Sequence, residues 1–345
     1  MKRSVPWQFR ILASIGLIFA ASAQASALAR DQTDAPAHFP AGIDPVIFQA
    51  QVQLDRAGFA PGIIDGRKGR FFVMALKGFQ EARGLEQSGV LDAASRKALA
   101  GERAPTLIRM VLKAEALEAS FTPDIPSRIV DQATLPFLGY RNLVEKLSER
   151  FHTSSDILIR LNPGLKAPRA GMELLLPGLL PSDRTYEPGL PARLRDVLAD
   201  LNISASQPRA AKIVVSKSQS VLRVYDAQDR LIAQFPATTG SDHDPLPLGK
   251  WMIRTIAFMP TYHYNPDLFW DADSSDQKAQ LSEGPNNPVG VVWIDLNKPH
   301  YGIHGTPEPT LIGRSQSHGC IRLSNWDAAR LAQMLRADTP SEFVA

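Results

Sequence analysis

The chain's single cysteine, Cys320, stands in the run Ser317-His318-Gly319-Cys320-Ile321-Arg322-Leu323, downstream of His304 in Tyr301-Gly302-Ile303-His304-Gly305-Thr306. A thiol attacks as thiolate, and its ordinary pKa of about 8.5 leaves little thiolate at neutral pH, so a reactive cysteine needs a base or positive charge nearby. His304 is the candidate base. In an extended segment His318, Cys320 and Arg322 fall on one side, and Gly319 between them lets a substrate approach the backbone closely. The N–H groups around Gly319 and Cys320 are candidates for an oxyanion hole, which stabilises charge developing on an attacked carbonyl. Arg322 is a candidate for holding a peptide carboxylate.

Other readings of these residues stay open. A lone cysteine can be an inert core residue, and His318 can order its loop or transfer a proton. His300, His304, His318 and Cys320 also offer zinc-ligand types, although their spacing lacks the usual two-plus-two pattern. His243 and His263 either line the cleft or pack at the surface. Tyr262, Tyr264, Phe269 and Trp270 lie in a long segment, 258–287, that reads either as a lid or as an aromatic cluster that only packs.

The elements that must position these groups are short β-rich runs. Lys212 to Val215, Val221 to Tyr225, Leu231 to Phe235, Gly249 to Ala257 and Val289 to Asp295 read as strands separated by polar turns, and Asp327 to Leu335 as an amphipathic helix. Neither a dinucleotide glycine fingerprint nor a phosphate loop occurs in the sequence. With these elements in view, residues 211–337 resemble the L,D-transpeptidase (YkuD) catalytic domain. The resemblance rests on His-Gly-Thr, then Ser-His-Gly-Cys-Ile-Arg-Leu and a helix containing Asp327, with Asn287-Pro288-Val289-Gly290 upstream; Leu246 replaces a threonine of the family's Thr-Pro-x-Gly loop. It implies Cys320 as nucleophile, His304 as proton acceptor and donor, and His318, Gly319, Arg322, Ser317 and Gly305 as substrate-binding or oxyanion residues. It also implies acyl transfer through a cysteine thioester from peptidoglycan tetrapeptide stems, no metal or organic cofactor, and acylation by carbapenem-type β-lactams. Transfer to an amine makes a cross-link in the cell wall, and transfer to water makes a carboxypeptidase. Attachment to a protein amine and a noncatalytic wall-binding scaffold are the remaining alternatives.

Upstream, Val46 to Phe59, Phe72 to Phe79 and Asp92 to Leu99 read as three helices joined by the turns Pro61 to Gly66 and Gly84 to Gly89. The order Gln51-Val52-Gln53-Leu54, Gly58-Phe59, Asp65-Gly66, Phe79-Gln80 and Gly89-Val90-Leu91-Asp92 makes residues 45–101 similar to a peptidoglycan-binding domain. Leu107 to Ala119 is helix-prone. Tyr140 to Phe151 and Ser154 to Leu161 read as helices and Gly171 to Pro177 as a strand, so residues 135–178 resemble a LysM module with a degraded opening strand at Leu135 to Leu143. Pro177 to Pro191 is a linker and Arg193 to Leu201 a short helix. The expected fold class is therefore multidomain α+β: a small three-helix domain, a LysM-like βααβ module and a mainly β catalytic domain.

Lys2, Arg3 and Arg10 followed by the apolar stretch Ile11 to Ala25 and small-x-small cleavage signals read as a secretory signal peptide over 1–27. Residues 30–44 form a tether. The expected product is soluble and lies in the periplasm or cell envelope. A formal charge of +3 with scattered basic residues argues against a nucleic-acid partner but does not set the partner, and it is the family resemblance that implies peptidoglycan glycan and stem peptides.

Overall fold

The computed structural model describes residues 32–33, 39–101, 105–186 and 189–345, so the signal peptide expected over 1–27 lies outside the described residues. Helix α1 (Pro45–Arg56) starts where the Asp44 carboxylate accepts the amides of Val46 and Ile47. This capping satisfies two amides that have no partner within the helix. With α2 (Arg70–Ala82) and α3 (Ala93–Leu99) it encloses Leu54, Phe72, Leu76, Phe79 and Leu99. Two buried glutamines set the turns between the helices. Gln51 accepts the amides of Asp65 and Gly66 at 3.0 and 2.7 Å, and Gln80 accepts that of Gly89 at 2.9 Å.

The next part opens on a three-stranded antiparallel sheet, β1 (Gln32–Thr33), β2 (Leu107–Val111) and β3 (Glu173–Pro177). Between β2 and β3 the chain forms the short helix α4 (Ala114–Leu117), then α5 (Leu143–Arg150) and α6 (Ser155–Leu161). Helix, helix and strand occur where the sequence placed them. The opening strand does not, because Leu107–Val111 is extended and pairs with β3, whereas residues 135–142 form no strand. The helix expected over Leu107 to Ala119 is thus confined to four residues.

Helix α7 (Ala192–Asp200) leads into the last part, an eight-stranded mixed sheet. Its strands are β4 (Lys212–Ser216), β5 (Val221–Tyr225), β6 (Leu231–Pro236), β7 (Gly249–Phe258), β10 (Val292–Leu296), β11 (Gly302–His304), β12 (Ile321–Arg322) and β13 (Pro340–Val344). Within the segment after β7, β8 (Tyr262–Tyr264) and β9 (Ala279–Leu281) make a separate hairpin. The sheet order is β12-β11-β10-β7-β13-β4-β5-β6, with β11/β12 and β13/β4 parallel. The sheet therefore runs past residue 337, since β13 lies between β7 and β4. Helix α8 (Asn325–Met334) is buried along almost its whole length.

The three parts share interfaces. At the β6 edge, Ala60 donates to the Gln234 carbonyl and Gln234 to that of Gly58, at 2.9 and 3.0 Å, so the first domain covers a strand edge that would otherwise present open hydrogen-bonding groups. Leu231 of β6 completes that domain's core, and Arg223 of β5 pairs with Glu81 of α2. A buried ionic node joins all three parts. Asp55 of α1 accepts from His152 Nδ1 at 2.9 Å and from Arg330 of α8 at 2.8 Å, while His152 Nε2 lies 2.9 Å from the Leu201 carbonyl and its ring stacks on Trp326. Among the described residues no helix is long and apolar enough to cross a membrane.

Candidate active site

Strands β11 and β12 pair in parallel with Ile303 opposite Ile321 and His304 opposite Arg322. Side chains alternate across a strand, so both isoleucines point into the core while His304, Cys320 and Arg322 share the other face. Gly302 comes next to Cys320 in this register. A Cβ there would meet the Trp293 indole at 2.6 Å, and Trp293, opposite His304 on β10, stacks on the imidazole with centroids 5.5 Å apart.

His304 is buried, and its Nδ1 donates to the Gly305 carbonyl at 2.7 Å. That bond leaves Nε2 with the lone pair. Cys320 is half-buried, and its thiol donates to the His300 carbonyl at 3.7 Å, so thiol and imidazole share a face without a hydrogen bond between them. Catalytic hydrogen bonds are often long before substrate arrives. Burial pushes the Cys320 thiol up, against the pull of the Gly302 amide and the Arg322 charge. Burial pushes His304 down to about 3, with Arg322 adding to the shift and the Gly305 carbonyl opposing it. The resting pair is therefore a neutral thiol beside a neutral imidazole.

Gly319 has φ +94°, and a Cβ there would lie 2.5 Å from the Tyr301 ring. Only glycine adopts this conformation without strain. Ser317 is buried and donates to the Cys320 carbonyl, bracing the loop rather than facing solvent. Arg322 spends one nitrogen on the Gln316 carbonyl at 3.2 Å; burial lowers its pKa, and Cys320, Tyr262 and Asp271 counter that shift. Gly305 lies behind His304, pressed on the Asn325 amide.

His318 turns toward the segment after β7. Its Nε2 lies 2.8 Å from the Asp271 carboxylate, and Phe269 meets the ring edge-on at 4.8 Å. Trp270 reaches both His318 and His243, the latter at 4.8 Å, whereas His263 is exposed. The hairpin behind them packs Tyr264 and Leu281 on Leu138, and Gly284 has no room for a Cβ because the Leu138 carbonyl would lie 2.1 Å away. The aromatic segment thus both packs and borders the site. Sequence reasoning missed Asp271, Tyr301, Trp293 and Asn325. Only the glycines that make room for Trp293, Tyr301 and Asn325 carried a trace of them.

The half-buried Cys320 thiol and the buried His304, its Nδ1 hydrogen held by Gly305, thus lie on one face of paired strands beside a glycine-shaped loop. Residues 210–342 match the family model for the "L,D-transpeptidase catalytic domain" (YkuD), and residues 44–99 match that for the "Putative peptidoglycan binding domain". The chain thus carries an L,D-transpeptidase (YkuD) catalytic domain behind an N-terminal peptidoglycan-binding domain. Among curated proteins it is similar to "Putative L,D-transpeptidase YkuD" of Bacillus licheniformis, 28% identical over 194 residues that cover 56% of this chain and 87% of that one. The protein of the same name in Bacillus subtilis is 26% identical with the same coverage of each chain. Among solved structures, an L,D-transpeptidase from Mycobacterium smegmatis aligns with TM-score 0.32 and 19% identity, covering 39% of this chain and 58% of that one.

Proposed function

We propose that the protein is an exported, cysteine-dependent L,D-transpeptidase that cross-links peptidoglycan through a thioester on Cys320. The observation that best supports this reading is the shared face of Cys320 and His304 on β11 and β12, with the His304 proton held on Nδ1 by Gly305. His304 Nε2 takes the thiol proton as sulfur attacks the carbonyl after the third residue of a tetrapeptide stem. The amides of Gly319 and Cys320 hold the oxyanion. The C–N bond then breaks, the imidazolium proton passes to the departing D-amino acid, and the stem remains as thioester. An amine of a second stem reverses these steps, releasing the thiol and forming the new amide.

Because the resting pair is neutral, proton transfer accompanies attack instead of preceding it, and Arg322 beside the sulfur favours the charge that develops. The leader over residues 1–27 supports a periplasmic or envelope location, and the N-terminal domain supports attachment to the polymer. Residues 135–178 serve as the LysM-like part of this reading.

Intact-protein mass spectrometry after exposure to a carbapenem tests nucleophile and substrate class together. One adduct, mapped to Cys320 and lost in Cys320→Ala, is the expected result; an unmodified wild-type protein overturns the reading. Incubation with a tetrapeptide stem then separates transfer, which yields dimers, from hydrolysis, which yields shortened monomers.

A further inference from the structure

Asn325 connects the middle module to the strand that carries His304. It opens α8, is fully buried, and its Nδ2 donates to both carboxyl oxygens of Glu149 at 3.0 and 3.1 Å and to the Pro285 carbonyl at 3.1 Å. Its Oδ1 accepts the Val291 amide at 3.1 Å. That oxygen occupies a slot made by two glycines: a Cβ on Gly290 would approach it to 2.0 Å, and one on Gly305 to 2.3 Å. Gly305 is also the residue whose carbonyl takes the His304 ring hydrogen.

Glu149 belongs to α5 of the middle module and is only 5% exposed. The Tyr140 hydroxyl reaches it at 3.2 Å; burial raises its pKa, the bonds from Asn325 and Tyr140 oppose that rise, and Glu145 on the same helix adds to it. Burial raises the Tyr140 pKa well above its ordinary value, with the charges of Glu149 and of Asp200 on α7 adding to the shift. A helix that only packed here would do so at lower cost with an apolar side chain, since a buried carboxyl must be desolvated.

We propose that Glu149 and Asn325 are positioning residues for the base: together they fix Gly305, so that its carbonyl keeps the His304 proton on Nδ1 and leaves Nε2 free to accept. The module is then part of the catalytic apparatus and not only an accessory. This inference rests on reading His304 as the base for Cys320. The buried carboxyl, pushed up to about 8, is mainly protonated at neutral pH, so the contact is a neutral hydrogen-bonded network.

The test uses the full chain with Glu149→Gln, which keeps one acceptor for Asn325, and Glu149→Ala, which keeps none. Histidine ring 15N shifts report the tautomer without reference to any substrate, and the His304 signal is identified by its loss in His304→Gln. In wild type it is expected as Nδ1–H; in the Ala variant, and in part in the Gln variant, it moves toward a mixture. Carbapenem acylation of Cys320 should slow about 3- to 10-fold in Gln, the worth of one hydrogen bond, and more in Ala. A pure packing role would leave tautomer and acylation rate unchanged in folded Gln protein, and that result overturns the proposal even if Ala fails to fold. Should wild type show no acylation, the transpeptidase reading falls while the ring shifts still decide whether Glu149 fixes the tautomer.

Discussion

At the scale of single residues, the site holds Cys320 as a protonated thiol. Burial opposes charge on both Cys320 and His304, so neither gains by ionising before a substrate arrives. Alkylation of Cys320 by iodoacetamide should therefore be slow at pH 7 and rise above the pH at which a free thiol titrates; a plateau already reached near pH 6 would mean a preformed thiolate–imidazolium pair. His318 works differently, because its partner is the carboxylate of Asp271. Asp271→Asn should lower acylation of Cys320 by about 3- to 10-fold, the worth of one solvent-weakened hydrogen bond, with little change in melting temperature because both side chains are partly exposed. Cys320 and His304 were legible from the sequence as residues of one candidate site because each sits in a short local motif, and β11 and β12 bring them to one face. Asp271 was not, since an aspartate in a long polar segment reads as solvated and only the folded hairpin carries it to His318.

At the scale of elements, β12 is only two residues long, and Gly319 just before it decides how the sulfur is presented. Gly319→Ala must either strain the backbone at φ +94° or push Tyr301 aside. Acylation by a carbapenem should fall at least about tenfold, as expected when a misplaced nucleophile loses its near-attack geometry. An unchanged rate would show that the turn tolerates a side chain. Most strands of the large sheet were legible because their β-branched residues cluster between polar turns. The strand at Leu107–Val111 was hidden for the opposite reason. Leu107, Arg109 and Met110, with Leu112, Lys113 and Ala114 just after them, favour helix locally, and pairing with Glu173–Pro177 overrides that preference. Residues Leu135 to Leu143 carry a strand-like composition, yet Leu138 is used instead to pin the aromatic hairpin through bonds to Glu283 and Asn286.

At the scale of the whole molecule, buried titratable groups set how stability responds to pH. Burial raises Glu149 to about 8 and Asp327 to about 7, Asp327 also through the charge of Asp55. A raised carboxyl stabilises fully below the pKa of the unfolded chain, about 4, and that contribution is lost as pH rises to the folded value. His304 acts in the opposite sense, since its lowered pKa removes stability as pH falls from about 6.5 toward about 3. The melting temperature should therefore decline from about pH 6.5 to about pH 8, where the two carboxyls act alone, and Glu149→Gln should flatten that decline. A slope unchanged in this variant would place the buried proton elsewhere.

The docking of the three-helix domain on the β6 edge has a mechanical consequence. Its backbone bonds to Gln234, the Glu81–Arg223 pair and the Asp55 node leave it little freedom to swing on a leash. If that domain grips a glycan strand, the grip and the sulfur travel as one piece, and the enzyme gauges the wall like a caliper with a fixed opening. Stems at one spacing along the strand would be served, and the rest passed over.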